Sequence, residues 1–308
     1  MNHYSFMERS KLVRQIWKFR SYYIFLLPAV IYVAIFNYGP IYGLQIAFKN
    51  YRPPLGIFNS PWVGMHHFID FIRGYYFWRL IGNTFAVSVY SLLVGFPIPI
   101  LLALMLNEIR GKLKNVMQTI FYAPHFISLV VLVGIINTMF SPSIGIVNTV
   151  LENLGFERVY FIAHADFFRH FYVWSGVWQQ MGWNAVIYIA ALAGVDPELH
   201  EAARIDGASL FQRIKYINLP SIQPTIVILF ILSIGGLASV GFEKAYLFQN
   251  DLNISTSEVI STYVYKRGLI NTNYSFSAAV GMFNNVINTI LLLVANGISR
   301  KVNETSLF

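Results

Sequence analysis

Six long stretches without an Asp, Glu, Lys or Arg side chain restrict what this sequence can fold into. A helix needs about 20 residues to cross the hydrocarbon core of a bilayer, and each stretch is longer than that. Charged residues make up only 12% of the chain, about half of the roughly 25% found in an average soluble domain. The sequence therefore predicts an all-α membrane protein with six transmembrane helices. The predicted spans are residues 21–48, 80–107, 116–140, 170–195, 217–242 and 276–299.

The distribution of basic residues predicts the orientation of these helices. An even number of spans puts both termini on one side, which carries 13 Lys and Arg in 59 residues, whereas the other side carries 9 in 94. The more densely basic side of a membrane protein faces the cytoplasm. We therefore expect two cytoplasmic tails, at residues 1–21 and 300–308, around a transmembrane domain at 22–299. The Lys and Arg residues behind the net charge of +8 flank the spans rather than forming one basic face. Nucleic acid is therefore not expected as a partner.

The most organised polar stretch outside the spans is the loop at residues 196–220, on the predicted cytoplasmic side. Asp196 can cap the start of a helix, and Pro197 suits its first position. Gly207 interrupts that helix and permits a sharp turn. Ser209 and Gln212 then have the spacing of a capping box that begins a second short helix. These residues alone leave two interpretations equally open: a surface that receives a partner protein, or an amphipathic pair lying on the bilayer.

The sequence lacks the motifs of several other functional classes. It has no G-x-x-x-x-G-K-[ST] motif, so it offers no P-loop for ATP. It has no cysteine and no His, Asp or Glu group with metal-ligand spacing. Ion-coupled transporters place ionisable residues in mid-membrane, and the spans have no such pair. An ion-coupled secondary transporter is therefore a weaker alternative, as is a membrane-embedded enzyme of glycan or lipid metabolism, since no catalytic pattern is found.

Polar side chains in and beside the predicted fourth, fifth and sixth spans are candidates for contact with a polar solute. Gln180 and Asn184 lie four residues apart and share a helix face, as do Asn284 and Asn288. Neutral amides beside aromatic rings suit the hydroxyl groups and C–H faces of a sugar, but amides also join helices and tryptophans also anchor at lipid interfaces. The candidate solute path consists of Trp178, Gln179, Gln180, Trp183, Asn184, Ser239, Glu243, Asn284 and Asn288.

The loop also resembles a family signature. Glu201-Ala202-Ala203, Gly207, Ile217 and Leu219-Pro220 are similar at every position to the EAA motif in the membrane subunits of binding-protein-dependent ABC importers. The stretches Asn37-Tyr38-Gly39-Pro40 and Gly241-Phe242-Glu243 resemble the branch that handles oligosaccharides derived from polysaccharides.

This resemblance implies a type I ABC importer permease fold, in which the loop docks on an ATP-binding subunit. The implied docking residues are Glu201, Ala202, Ala203, Asp206, Gly207 and Leu210. The chain itself would hold no cofactor and would not be an enzyme, since ATP and Mg would bind the partner ATPase. The implied partners are a second homologous permease, a dimer of ATP-binding subunits, an extracellular solute-binding protein and the lipid bilayer. The implied function is the ATP-driven movement of oligosaccharides across a bacterial plasma membrane.

Overall fold

The computed structural model describes residue 15 and residues 17–109 and 111–303, in two compact units that divide after His66. Within these residues the structure is helical, and its β interaction is an isolated antiparallel bridge between Lys49 and Trp62. The predicted all-α fold class is confirmed. The predicted tails at residues 1–21 and 300–308 lie mostly outside the described residues.

The first unit is built around one long apolar helix. This helix, α1, spans Arg20–Phe48 and coincides with the predicted first span. It winds as an α-helix over Arg20–Val33, as a π-helix over Ala34–Tyr38 and as a 3₁₀ helix over Gly39–Phe48. Its α-helical part has no buried side chain. A one-turn helix, α2, follows at Gly56–Asn59.

The second unit contains the remaining predicted spans together with shorter helices that connect them. One of these short helices, α3, covers His66–Arg73 and begins at the boundary of the two units. The other helices are α4 (Phe77–Gly95), α5 (Pro97–Glu108), α6 (Lys112–Tyr122), α7 (Leu129–Met139), α8 (Ile146–Asn153), α9 (Ala165–Ala193), α10 (Pro197–Ile205), α11 (Leu210–Arg213), α12 (Leu219–Gly235), α13 (Phe242–Phe248), α14 (Ile254–Ser257), α15 (Ile260–Tyr265) and α16 (Tyr274–Asn303).

Three helical stretches among the described residues are long and apolar enough to cross a membrane: Arg20–Phe48, Phe77–Glu108 and Tyr274–Lys301. Two bent helix pairs raise the number to five if each pair is one span. The predicted fourth span lies within α9, whose 29 residues are sufficient in length. However, amide side chains near its middle lower its mean hydropathy, and it is not among the five. Six spans therefore remain a prediction.

The predicted third span is broken near its middle. α6 passes through a 3₁₀ turn at Ala123–Phe126, and α7 leaves it at an angle of 96°. Ser128 caps the new helix by accepting a hydrogen bond from the backbone N–H of Val131 at 3.3 Å. Exposed backbone at membrane depth must find partners within the protein, and Gln179 of α9 donates to the Ile127 carbonyl at 2.7 Å. Gly182 permits this close approach, since a Cβ there would lie 2.0 Å from the Phe121 carbonyl oxygen.

The predicted fifth span, at 217–242, is shorter than expected. The helical stretch Leu210–Ser221 meets Gln223–Gly235 at 62°, beside the in-helix Pro224. α12 then ends at Gly235, where a second glycine follows, and residues 237–241 are not helical before α13 begins. Asn288 of α16 accepts a hydrogen bond from the backbone N–H of Ala238 at 2.8 Å, which satisfies part of this irregular backbone.

The core of the second unit is formed where α5, α9 and α12 pack together. Leu106, Leu192 and Ile222, one from each helix, are almost completely buried in it. A second core joins α4 and α9 to α7 and α13 through residues such as Val87, Phe168 and Ala245. α9 is common to both cores and is therefore the central helix of this unit.

Candidate functional site: an exposed loop and a polar cavity

The loop at residues 196–220 begins as predicted. The Asp196 carboxylate accepts a hydrogen bond from the backbone N–H of Glu198 at 2.9 Å, and Pro197 is the first residue of α10. This bond satisfies one of the N–H groups that a helix start leaves free. The first helix of the loop is therefore fixed by its own sequence.

Gly207 ends α10 in a left-handed conformation, with a φ of 77°. The N–H of Ala208 donates to the Ala203 carbonyl at 2.8 Å, and the N–H of Gly207 donates to the Arg204 carbonyl at 3.1 Å. This pair of bonds is a Schellman motif, in which glycine avoids the strain that a Cβ causes at positive φ. The predicted bend is confirmed, and glycine is the residue that this geometry favours.

The second helix of the loop, α11, begins with the predicted capping box. The backbone N–H of Ser209 donates to the Gln212 side chain at 2.7 Å, and the backbone N–H of Gln212 donates to Ser209 Oγ at 3.4 Å. Reciprocal bonds of this kind satisfy two donors at once. The caps and the turn of the two helices are thus formed by bonds within the loop itself.

Most of the loop surface is exposed. Of the predicted docking residues, Ala203 is half-buried, whereas Glu201, Ala202, Asp206, Gly207 and Leu210 are exposed. Two apolar side chains on either side of the turn are exposed still further, Ile205 at 86% and Phe211 at 72%. Within the described part of the chain, no ion pair is found for Glu201, Arg204 or Asp206. The loop therefore presents apolar groups and unpaired charges to its surroundings, as a contact surface for another molecule does.

A cavity of about 530 Å³ lies between α4, α5, α9 and α12. Its lining combines apolar side chains with neutral hydrogen-bonding groups, which is the arrangement that suits a sugar rather than an ion. Two predicted path residues, Asn184 and Ser239, line it. Its other polar lining residues are Ser88, Ser91, Tyr172, Tyr188 and Ser233.

Two asparagines of α16, four residues apart, have side chains of interest, and one of them contacts a residue that lines this cavity. Asn288 donates from Nδ2 to Ser239 Oγ at 2.6 Å, so it positions one of the lining residues. Asn284 has a buried side-chain oxygen without a hydrogen-bond partner in the described structure. A buried polar atom of this kind is uncommon in folded proteins and is available to a ligand or a water.

The other predicted path residues are not in the lining of this cavity. Gln179 holds the broken span at Ile127, as described above, and Gln180 Oε1 lies 2.9 Å from His125 Nδ1. The His125 ring also stacks on Trp183, with 4.3 Å between ring centroids. Trp178 lines a separate and almost wholly apolar cavity between α7 and α9, and Glu243 lies exposed in the first turn of α13.

A buried lysine contacts Tyr172, one of the residues that line the polar cavity. Lys244 is only 7% exposed, and its Nζ donates to the Tyr172 carbonyl at 2.5 Å and lies 4.7 Å from the centre of the Tyr172 ring. In the described part of the chain no carboxylate forms an ion pair with it. Tyr172 in turn accepts a hydrogen bond from the backbone N–H of Gly241 at 3.0 Å. When protonated, Lys244 places a positive charge beside the cavity without a protein counter-charge.

Sequence reasoning missed several of these groups. Ser88 and Ser91 lie three residues apart in the predicted second span, and this spacing is the one signal that they share a helix face. Lys244 follows the predicted end of the fifth span, where the sequence gives no sign that it is buried.

Among residues 17–109 and 111–303, no group of three or more His, Asp or Glu is placed to hold a metal ion.

Comparisons with known proteins extend over most of the chain. Residues 95–304 match the family model described as "Binding-protein-dependent transport system inner membrane component". Protein LplB of Bacillus subtilis is 42% identical over 93% of this chain and 90% of its own length. The polygalacturonan/rhamnogalacturonan transport system permease protein YteP of Bacillus subtilis is 38% identical over 98% of this chain and 94% of its own length.

A solved structure is similar over nearly the whole fold. It is a bacterial alginate ABC transporter in complex with an alginate pentasaccharide-bound periplasmic protein. One of its chains is 40% identical to this chain with a TM-score of 0.87, and the match covers 96% of this chain and 100% of that one.

Proposed function

Since the chain belongs to the family of binding-protein-dependent transport system inner membrane components, we propose that it moves oligosaccharides across a bacterial plasma membrane. It is a permease subunit of an ABC importer, and the ATPase of such an importer is a separate subunit. The family is one of permeases rather than enzymes, so the alternative function as a membrane-embedded enzyme is rejected. The absence of a P-loop motif in the sequence agrees with a separate ATPase.

The observation that carries the coupling part of this proposal is the exposed Gly207 turn. Its two helices are capped locally, yet its side chains from Glu201 to Leu210 are mostly exposed and make no ion pair within the described part of the chain. We infer that Glu201, Ala202, Ala203, Asp206, Gly207 and Leu210 dock on the ATP-binding subunit. The alanines and the glycine leave room for a close approach of the partner backbone, and Ile205 and Phe211 add apolar area. ATP and Mg bind the partner, whose closure pulls on the loop.

The polar cavity is proposed as part of the solute path. Its hydroxyl and amide groups can exchange hydrogen bonds with sugar hydroxyls, and its apolar wall suits the C–H faces of a sugar ring. Asn184 and Ser239 contact the solute directly in this proposal, and Asn284 and Asn288 support them from α16. Four predicted path residues lie on α9 with Asn184 and are assigned to holding the fold around the path: Trp178, Gln179, Gln180 and Trp183. Glu243 lies exposed on α13 and is given no role.

We further propose that the oligosaccharide is acidic. The names of two relatives refer to uronic acid polymers, polygalacturonan and alginate. Lys244 gives a physical reason for this preference, because its ammonium group, when protonated, has no carboxylate partner in the described chain and contacts Tyr172, which lines the cavity. An anionic sugar offsets the cost of such a buried charge, whereas a neutral sugar does not.

The remaining partners follow from this assignment. A solute-binding protein delivers the sugar, as the periplasmic protein does in the alginate transporter structure. A second homologous permease completes the path. A dimer of ATP-binding subunits meets the loop at residues 196–220 of this chain, which we call the coupling loop, and its counterpart in the second permease. The basic-residue distribution supports placing both termini and the coupling loop in the cytoplasm.

The proposal is tested with the complete transporter, reconstituted in lipid vesicles from this chain, a candidate second permease, the ATPase and the binding protein. We expect ATP hydrolysis to rise when the binding protein carries an oligogalacturonate, with uptake of that sugar. Gly207→Trp should abolish co-purification of the ATPase and the stimulated hydrolysis, since a bulky side chain at the turn prevents close docking.

Gly155→Trp is the matched control. Gly155 also has a positive φ, 87°, and also has open space where a Cβ would lie, so both substitutions strain the backbone similarly. Only the Gly207 variant should lose the ATPase. If the wild-type chain does not retain the ATPase, or if both variants retain it equally, the docking role is wrong.

A further inference from the structure

A largely buried charged cluster joins the C-terminal part of the coupling loop to Glu108, directly after the second predicted span. Arg213, the last residue of α11, is 9% exposed and donates from Nη2 to Glu108 Oε2 at 3.2 Å. Asn218 is completely buried and donates from Nδ2 to Glu108 Oε1 at 3.3 Å. Glu108 is the last residue of α5. We call these three residues the root cluster.

The root cluster contrasts with the rest of the loop. Residues from Glu201 to Leu210 make no ion pair within the described part of the chain, whereas Arg213 pairs with a residue 105 positions earlier. A buried ion pair is expensive to form, because both groups lose their hydration. Its presence here means that the surrounding fold holds α11 and α5 in a fixed relation.

The helix that receives this contact leads to the solute cavity. α5 packs along α9 and α12 through a common core that includes Leu106, Leu192 and Ile222. The other end of α5 supplies Pro99 to the cavity lining, and α9 supplies Asn184. A displacement of α11 is therefore transmitted through close-packed helices to the cavity wall, since such a core deforms little.

Two atoms of the cluster lack hydrogen-bond partners. Arg213 Nε and Asn218 Oδ1 are buried, and neither makes a hydrogen bond in the described structure. One is a donor and the other an acceptor, and they lie at the two ends of the π-helical turn Ile214–Asn218. Residues five apart face each other across a π-turn, and such turns are frequent at functional sites. The cluster can therefore take up further hydrogen bonds when α11 and α5 are displaced together.

We propose that the root cluster is the joint that transfers movement of the docked coupling loop to α5 and thus to the solute path. Glu108, Arg213 and Asn218 are positioning residues in this scheme, because none of them contacts the solute or ATP. The inference rests on the proposed docking of the loop. It adds that docking alone is insufficient: without the joint, the ATPase still binds and hydrolyses ATP but moves less sugar for each ATP.

The test measures oligogalacturonate uptake per ATP hydrolysed in the reconstituted transporter. Arg213→Met should retain the ATPase on purification but lower this ratio at least about fivefold, the lower end of usual coupling factors. Lys215→Met is the matched control, because Lys215 is an exposed cation two residues away, and it should keep the wild-type ratio.

A double variant separates the joint from simple stability. Arg213→Met leaves Glu108, whose side chain is only 17% exposed, without its cation, which lowers the thermal stability of the complex. Adding Glu108→Gln removes that unpaired charge. We expect the double variant to recover stability but not the uptake ratio. A wild-type ratio in a stable double variant would overturn the proposal, since the cluster would then be structural only.

Asn218→Leu provides a second route if the double variant does not assemble. This substitution removes one bond to Glu108 without leaving an unpaired charge, and it should lower the ratio measurably but by less than Arg213→Met does. An unchanged ratio overturns the joint. Failure of the wild-type complex to respond to the loaded binding protein rejects the docking role instead, before any root-cluster variant is compared.

Discussion

In two loops of this chain a helix ends in the same kind of glycine turn, but the side-chain contacts around the turn differ. In the coupling loop the turn is centred on Gly207. In the loop at residues 140–164, which we call the Asn148 loop, it is centred on Gly155, whose N–H donates to the Glu152 carbonyl at 3.0 Å. The N–H of Phe156 donates to the Leu151 carbonyl at 2.9 Å, which completes a second Schellman motif. The two backbones are alike.

The Asn148 loop satisfies its own polar groups. Asn148 is completely buried, donates to the carbonyls of Ser141 and Val159, each at 3.0 Å, and accepts from the N–H of Val159 at 2.8 Å. Arg158 donates to the Glu152 carboxylate at 2.7 Å and to the carbonyls of Pro142 and Ser143. Side chains therefore tie together parts of this loop that are distant in sequence.

The coupling loop has no such internal network between Glu201 and Leu210. Exposed apolar side chains occur in both loops, for example Ile205 and Phe156, so exposure alone does not distinguish them. The distinguishing feature is where the polar contacts lie. The Asn148 loop is cross-linked throughout, whereas the coupling loop is capped locally and fixed at its root, which leaves its tip available to a partner.

The largest effect that tests this difference is expected at Asn148. Asn148→Leu leaves the carbonyls and the N–H of Val159 without a buried partner, and we expect it to lower the free energy of unfolding by about 3 kcal/mol. Thermal unfolding of the purified chain measures this. Asn153→Leu, at the exposed end of the same helix, is the control and should have little effect. Asp206→Leu in the coupling loop should likewise leave the stability of the isolated chain nearly unchanged. An equal loss from Asp206→Leu would mean that the two loops are not different.

The sequence predicted the parts of the coupling loop that depend on near neighbours. Asp196, Gly207 and Ser209 each act within five residues, so a pattern of residue types was enough to identify them. Glu108 and Arg213 are separated by 105 positions, and nothing local in either region indicates the other. Their pairing depends on the packing of α5 against α12, which a single sequence does not reveal.

Contacts between residues distant in sequence also limited the prediction of the transmembrane spans. Their approximate positions followed from hydropathy, because lipid imposes a length and a composition. The 96° break in the third span did not follow, since it depends on Gln179 of another helix reaching the Ile127 carbonyl. The amide of Gln179 was interpreted as a solute contact, and interhelical hydrogen bonding was the alternative. The structure gives this amide a bond to the carbonyl of Ile127 in the break between α6 and α7, and it gives Asn288 a bond to Ser239 in the non-helical stretch after α12.

An intermediate effect is expected where the coupling loop exposes apolar side chains. Phe211→Ser should weaken the affinity of the chain for the ATPase roughly tenfold, since burying a phenylalanine contributes on the order of 1.5–3 kcal/mol and docking covers part of it. Titration of the ATPase against the solubilised chain measures this affinity. Phe156→Ser, in the Asn148 loop, removes a similarly exposed ring and should leave the affinity unchanged. A comparable loss from Phe156→Ser would show that exposed apolar area, rather than the coupling loop, attracts the ATPase.

The smallest effect is a pH dependence confined to the Asn148 loop. Hydrogen bonding and the charge of Arg158 hold the pKa of the Glu152 carboxyl below its ordinary value of 4.5. A depressed carboxyl pKa stabilises the fold above the unfolded value, and this contribution disappears as the pH falls through the folded value. Hydrogen-exchange protection at residues 146–158, corrected for intrinsic rates, should therefore decrease slightly between pH 6 and pH 3. Arg158→Gln should already show the lower protection at pH 6 and should lack most of the decrease. A decrease of the same size in the Arg158→Gln variant would mean that another group titrates, and the internal pairing that separates the two loops would lose its support.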